Sequence, residues 1–222
     1  MQDVQFNRGV RFVETHVYLT PDSKEKFLKV AGKLGFTAVF AVGEKRGVGE
    51  GVEVFSRVNL EGGRLVQMKK TLGKVRGKGD LVAAPCISRE VAVWAARNPD
   101  IDILYFPSIE CYKYLDKSLV RLSQEGGVAI ELSLAPLFTS DGVKRIRAFS
   151  VLRRAASILL EEGAVFFITR EPRSYYEVRS PTSITAIALL LGIPREAALK
   201  ALSFYPFLVL EWRGYEGVQR VS

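Results

Sequence analysis

The sequence predicts an α/β fold, a TIM-like (β/α) barrel of about seven to eight parallel strands surrounded by helices. Three observations predict it. Short runs rich in Val, Ile and Phe alternate with longer amphipathic stretches, which is the pattern of strand–helix–strand units. No low-complexity tract or linker divides the 222 residues, so a single domain over 1–222 is expected. The glycine signature of an open dinucleotide-binding sheet is missing after the first strand, which favours a closed barrel.

The elements follow in order. Span 11–19 reads as a strand, with Phe12, Glu14, His16 and Tyr18 on one face and Val13, Thr15, Val17 and Leu19 on the other. Pro21-Asp22-Ser23 opens a helix through Phe27, Val30, Ala31 and Leu34, and Gly35 ends it. Span 36–42 is continuously apolar, as suits a parallel strand covered on both faces. The glycine-rich span 43–51 reads as a flexible surface loop. It lacks the Gly-Lys-Ser/Thr ending and following helix of a phosphate loop. Strands are expected at 52–60, 81–84, 101–106, 128–134 and 164–169, and helices at 64–75, 88–97, 112–124 and 143–161. Two helices close the chain: Ser180 caps the first, with Pro181 at its opening position, Gly192 stops it, and Pro194 opens the second.

Several function classes are excluded or disfavoured. With 48% hydrophobic residues, the chain has the apolar content that disordered chains lack. No run of about 18 apolar residues spans a membrane; span 184–191 is cut off by Gly192 and Pro194. The start, Met1-Gln2-Asp3-Val4-Gln5-Phe6, has no secretory pattern, and the two cysteines, Cys86 and Cys111, read as small buried thiols. A cytoplasmic protein without a membrane partner is expected. There is no Gly-x-Ser-x-Gly elbow, and the single histidine rules out a multi-histidine metal centre. Glu14-Thr15-His16 at the first strand, with Glu131 on a later one, leaves one alternative: a metal-dependent barrel phosphoesterase using Glu14, His16 and Glu131. No catalytic residue, metal ligand or protein-bound cofactor is assigned.

Charge placement points elsewhere. Lys and Arg total 32 against 24 Asp and Glu, giving +8 and favouring a polyanionic partner. Lys113, Lys117 and Arg121 recur every four residues in the helix expected at 112–124. On the long helix Lys144, Arg147 and Arg154 share a sector flanked by Arg145 and Arg153, with no acid between 144 and 154. The stretch 64–78 adds Arg64, Lys69, Lys70, Lys74, Arg76 and Lys78, again without an acid. Arg170, Arg173 and Arg179 surround Tyr175 and Tyr176, a mixture that can contact phosphates and stack on unpaired bases.

An ordered series of motifs resembles a known family. It comprises Ser56-Arg57-Val58-Asn59-Leu60, Asp80-Leu81-Val82-Ala83, Asp102-Ile103-Leu104-Tyr105-Phe106 and Lys117-Ser118-Leu119-Val120. Val128-Ala129-Ile130-Glu131-Leu132-Ser133 with Pro136-Leu137, Arg153-Arg154 and Arg179-Ser180-Pro181 complete it. The series is similar to protein component 3 of ribonuclease P, the family of the thirty-kilodalton subunit, and the short chain resembles its archaeal form. The resemblance implies a TIM-like barrel that acts as a non-catalytic, RNA-binding subunit of a ribonucleoprotein. That holoenzyme is an endoribonuclease that removes the 5′ leader of precursor tRNA, with Mg²⁺ held by the catalytic RNA. The implied partners are ribonuclease P RNA, a small protein subunit of the Pop-five type and, indirectly, precursor tRNA. RNA or subunit contacts are expected at Arg57, Lys117, Arg153, Arg154, Arg179 and Ser180, beside the basic positions named above. Two stretches depart from the family pattern. Ile168-Thr169-Arg170-Glu171-Pro172 stands where a Ser-Ser-Gly-Ala turn is usual, and the first strand carries Glu14-Thr15-His16.

Overall fold

Parallel strands covered on both faces form the wall of the molecule, and the continuous apolar runs of the sequence supply them. The computed structural model describes residues 10–75 and 77–215. Residues 1–9, with the start read above as non-secretory, and Arg76 of the basic stretch lie outside the described residues. The strands are β1 (Phe12–Val17), β2 (Phe36–Val42), β3 (Gly47–Gly49), β4 (Val52–Asn59), β5 (Leu81–Pro85), β6 (Ile103–Tyr105), β7 (Ala129–Ser133) and β8 (Phe166–Thr169). Seven of them run parallel in the order β1-β2-β4-β5-β6-β7-β8, a nearly closed barrel in which β1 and β8 meet at the seam.

Nine helices are described: α1 (Lys24–Lys33), α2 (Leu65–Val75), α3 (Arg89–Ala96), α4 (Lys117–Glu125), α5 (Ala135–Thr139), α6 (Gly142–Glu161), α7 (Pro181–Leu190), α8 (Arg195–Leu202) and α9 (Phe204–Trp212). Leu28, Leu72, Val91, Leu119, Leu152 and Ile184 come from six of these helices and join the apolar layer around the strands. Inside the barrel, Val13, Ala38, Phe40, Phe55, Ala83, Ile103, Ala129 and Phe167 form a second core. Phe40 meets Phe55 and Phe167 edge to face, at centroid distances of 5.8 and 6.2 Å, a favoured aromatic geometry. Phe207, Val209 and Leu210 of α9 plug the N-terminal end of this interior. Arg213 locks the plug by an ion pair with Asp102, which also accepts the Val82 N–H at 2.6 Å.

Three expectations are corrected, and one helix was not expected. Span 43–51 is not wholly a loop, because β3 lies within it and pairs antiparallel with β4, folding the glycine-rich stretch into a hairpin. Span 112–124 is not one helix: a 3-10 turn (Ile109–Tyr114) ends at Leu115, and Asp116 starts α4 afresh by accepting the Leu119 N–H at 2.7 Å. The five-residue α5 follows β7 with no expectation to match it. Three helices close the chain, not two, because the apolar stretch 204–212 is α9, the barrel plug.

Packing between α3 and α4 gives a test. A Cβ on Gly126 would lie 2.1 Å from the Ala96 carbonyl oxygen, a backbone atom that cannot swing away. Gly126→Ala is expected to cost about 1–3 kcal/mol, as overpacked sites do, in urea unfolding. An unchanged midpoint would show that the two helices are not held this closely.

Candidate nucleic-acid interface

The C-terminal mouth of a barrel is where such folds place their chemistry. Here a hydrogen-bonded network fills it. Strand periodicity turns Phe55, Arg57 and Asn59 to one face of β4, and Glu131 faces them from β7. Arg57 is fully buried; its Nη1 donates to Glu131 Oε2 and, at 2.7 Å, to the Thr15 carbonyl oxygen. Its Nη2 reaches Glu131 Oε1 at 3.3 Å, and its Nε donates to Asn59 Oδ1 at 2.8 Å. With Oδ1 so engaged, the Asn59 amide turns Nδ2 to His16 Nε2, 3.1 Å away. Nε2 must then accept, so His16 donates from Nδ1 to Glu131 Oε1 at 2.7 Å. Tyr18 closes the chain with its hydroxyl 3.0 Å from His16 Nε2. Burial alone would raise the Glu131 carboxyl. The Arg57 guanidinium against it reverses the sign and holds it well below the usual carboxylate range.

Glu14 does a different job at the seam. Its carboxyl receives the Thr169 hydroxyl and, at 3.2 Å, the Arg170 N–H, tying β1 to the end of β8. The Tyr18 N–H adds a bond to the Pro172 carbonyl oxygen at 3.3 Å. Burial, partly opposed by these hydrogen bonds, pushes the Glu14 carboxyl up to about 7. The residues of the phosphoesterase alternative are engaged with other groups in this geometry. Arg57 and His16 occupy the carboxylate of Glu131, and Glu14 is committed to the seam. Among the described residues no group of three His, Cys, Asp or Glu side chains is arranged to hold a metal ion.

The cations divide into distinct settings. Arg57 is not a surface contact at all, because its guanidinium is enclosed by the mouth network. The stripe expected from Lys113, Lys117 and Arg121 is broken. Lys113 lies in the 3-10 turn, its ammonium 5.0 Å from the centre of the Tyr114 ring. Lys117 pairs with Glu161 at 2.8 Å, and Arg121 pairs with Glu162 at 2.7 Å. Lys144, Arg147, Arg153 and Arg154 are exposed on α6. Arg147 and Arg154 line, with Lys113, a groove of about 270 Å³ between the 3-10 turn and α6, so the structure brings these three together. Val143 and Ile146 stand exposed on the same helix. A second groove, about 580 Å³ between α2 and α3, combines Trp94 with Lys69, Arg89 and Arg97.

The last strand–helix loop carries the third setting. Arg170 lies over the ring of Phe138 of α5, its Cζ 4.2 Å from the ring centre, and Arg179 approaches the same ring at 5.8 Å. Arg173 sits over Tyr18 at 4.9 Å, joining the surface to the mouth network. The guanidiniums therefore lie on the rings of Phe138 and Tyr18 and not on those of Tyr175 and Tyr176 as expected, with Arg179 reaching only the Tyr176 carbonyl oxygen. Tyr175 instead takes Lys26, whose Nζ donates to its hydroxyl at 2.9 Å. Ser180 caps α7 by accepting the Ser183 N–H at 3.2 Å. Residues that sequence reasoning missed are Tyr18, Asn59, Phe138 and Lys26. Asn59 and Tyr18 had a usable signal, their i+2 relation to Arg57 and to His16 along their strands.

A TIM-like barrel with its mouth committed to an internal ion pair and its free cations on outer helices and the last loop belongs to a class defined by its surface. The family model described as RNase P subunit p30 matches residues 12–216, and the chain belongs to that family. The chain is 31% identical to Ribonuclease P protein component 3 of Methanosarcina mazei over 162 residues, 73% of this chain and 68% of that protein. It is 26% identical to the component 3 protein of Methanococcoides burtonii over 215 residues, covering 92% of this chain and 89% of the other. A chain in the cryo-EM structure of archaeal ribonuclease P with mature tRNA superposes with a TM-score of 0.76 at 19% identity, over 94% of this chain and 95% of that one. That last likeness is one of fold.

The seam gives a pH test. An unfolded glutamate ionises near about 4.3, whereas Glu14 in the fold keeps its proton to about 7. Between these values the unfolded state holds fewer protons, so this contribution is complete below the lower value and is lost as pH rises through the upper one. Glu14→Gln mimics the neutral carboxyl: its amide can donate to the Thr169 hydroxyl while its oxygen accepts the Arg170 N–H. The variant is expected to gain on the wild type by about 3 kcal/mol between pH 4 and pH 8, read from urea titrations at both. A gap that does not change with pH contradicts the assignment.

Proposed function

We propose that this member of the p30 family serves as a non-catalytic, RNA-binding subunit of ribonuclease P, supporting RNA-catalysed removal of the 5′ leader from precursor tRNA. The observation that carries this reading is the split between interior and exterior. The acids and the histidine of the mouth are hydrogen-bonded to one another and to Arg57, while Lys144, Arg147, Arg153 and Arg154 are open to solvent. Exposed cations bind phosphates by releasing condensed counterions, and arginine beside an aromatic ring suits unpaired bases. The candidate contacts are those four residues with Lys113, Arg170, Arg173 and Arg179. Lys117 and Arg121 contribute less because each is already paired with an acid, and Ser180 acts as a helix cap.

The finer parts of the reading follow from the family resemblance. The divalent ions of the reaction sit on the RNA, and the chain pairs with a small subunit of the Pop-five type. Among the described residues no helix is long and apolar enough to cross a membrane, which is compatible with a cytoplasmic ribonucleoprotein.

Reconstitution tests the reading. The purified chain alone is expected to leave precursor tRNA intact, and adding it to ribonuclease P RNA with the partner subunits is expected to restore cleavage at low Mg²⁺. Cleavage by the isolated chain, abolished by Glu14→Ala or His16→Ala, would replace it with the hydrolytic alternative.

A further inference from the structure

Arg170 is a buried cation with an unfilled donor. It is 5% exposed, and its Nε has no hydrogen-bond partner. Among the described residues none of the ion pairs includes it, although three carboxylates lie close enough to act on its charge. Each of the three is turned to another group. Glu14 receives the backbone N–H of Arg170, Glu171 accepts the Ser133 hydroxyl at 2.9 Å, and Glu177 accepts the Arg173 N–H at 2.9 Å. A second guanidinium, that of Arg179, faces the same Phe138 ring and repels the first. An apolar side chain would pack against Phe138 at lower cost than an unpaired guanidinium. Orphaned buried donors of this kind call for an acceptor supplied from outside the chain.

The geometry points to a phosphate-binding site on the last strand–helix loop, in which Arg170 and Arg179 grip one phosphate group of an RNA strand. This rests on the RNA-binding reading above and deepens it. A forked guanidinium matches two non-bridging phosphate oxygens, and the diester's single negative charge relieves the repulsion between the arginines. Arg179 directly precedes Ser180, the cap of the ten-residue α7, so the partial positive charge of that helix end adds to the site. A nucleotide is favoured over a protein carboxylate by Tyr176. Tyr176 is 74% exposed and Arg179 Nη1 donates to its carbonyl oxygen at 2.9 Å, so an exposed aromatic residue on which a base could stack adjoins Arg179 in the chain fold. Arg170 stands in the stretch 168–172 and Arg179 in the Arg179-Ser180-Pro181 motif, so the site joins the end of β8 to the start of α7.

The test compares the wild type with Arg170→Met and Arg170→Lys in filter binding to ribonuclease P RNA over a range of KCl concentrations. Each protein is also melted with and without inorganic phosphate. Arg170→Met is expected to lose about tenfold in affinity and about one unit of salt slope, with its melting temperature maintained. Arg170→Lys should keep the slope and regain only part of the affinity, because it restores charge without the fork. Phosphate should raise the melting temperature of the wild type more than that of Arg170→Met. If the wild type binds RNA and Arg170→Met equals it in affinity and slope, the site is overturned while the RNA-binding reading stands. If the wild type does not bind RNA, that reading fails, and the phosphate-dependent melting alone decides whether a phosphate site exists. Weakened association of Arg170→Met with the small protein subunit, at unchanged RNA affinity, would assign the donors to a carboxylate and overturn the proposal.

Discussion

Taking Arg57 and Glu131 out of water is costly for each charge, and their attraction offsets that cost only if the remaining donors and acceptors are also satisfied. The barrel meets this condition residue by residue. Thr15 supplies a backbone oxygen, Asn59 takes the guanidinium Nε, and His16 spans from Glu131 to Asn59 and Tyr18. The pair therefore draws β1, β4 and β7 to a common point across the mouth. Glu14 acts beside it by drawing β8 to β1 at the seam. The polar groups of the C-terminal end are in this way spent largely on one another.

The outside of the barrel is not uniformly cationic. The acids at the end of α6 hold Lys117 and Arg121, while the first turns of α6 leave Lys144 and Arg147 next to the exposed side chains of Val143 and Ile146. The last loop concentrates guanidinium groups on aromatic rings, and Arg173 over Tyr18 links that surface to the buried network in a single contact. Net charge gives the sign of the partner, and local pairing decides which cations remain available to it.

The barrel was legible in the sequence because parallel strands covered on both sides read as unbroken apolar runs, and 36–42 is the clearest case. The hairpin at 47–49 was not, since Gly-Val-Gly carries no alternation and its pairing with β4 is a tertiary event. Leu115 kept the helical spacing of Leu119 and hid the break before Asp116, although an aspartate at that point is an acceptable cap. The all-apolar face of α9 reflects its position under the barrel and gives no amphipathic signal. In the site, His16 and Glu131 were recognised as candidates of one mouth. Arg57 was read as a surface cation because its partner lies 74 residues away. The partners of Lys117 and Arg121, Glu161 and Glu162, are remote in sequence too.

The proposed function gives the mouth pair a place in the barrel's hydrogen bonding and no part in chemistry. The double variant Arg57→Met with Glu131→Gln removes both charges while leaving an oxygen for the His16 Nδ1–H, so the fold is expected to survive. The most direct measurement is the rate of precursor tRNA cleavage by a holoenzyme reconstituted with this variant at low Mg²⁺. The account predicts the wild-type rate. A folded, RNA-bound double variant that slows cleavage by about a hundredfold or more, the scale of a lost acid–base group, would contradict it.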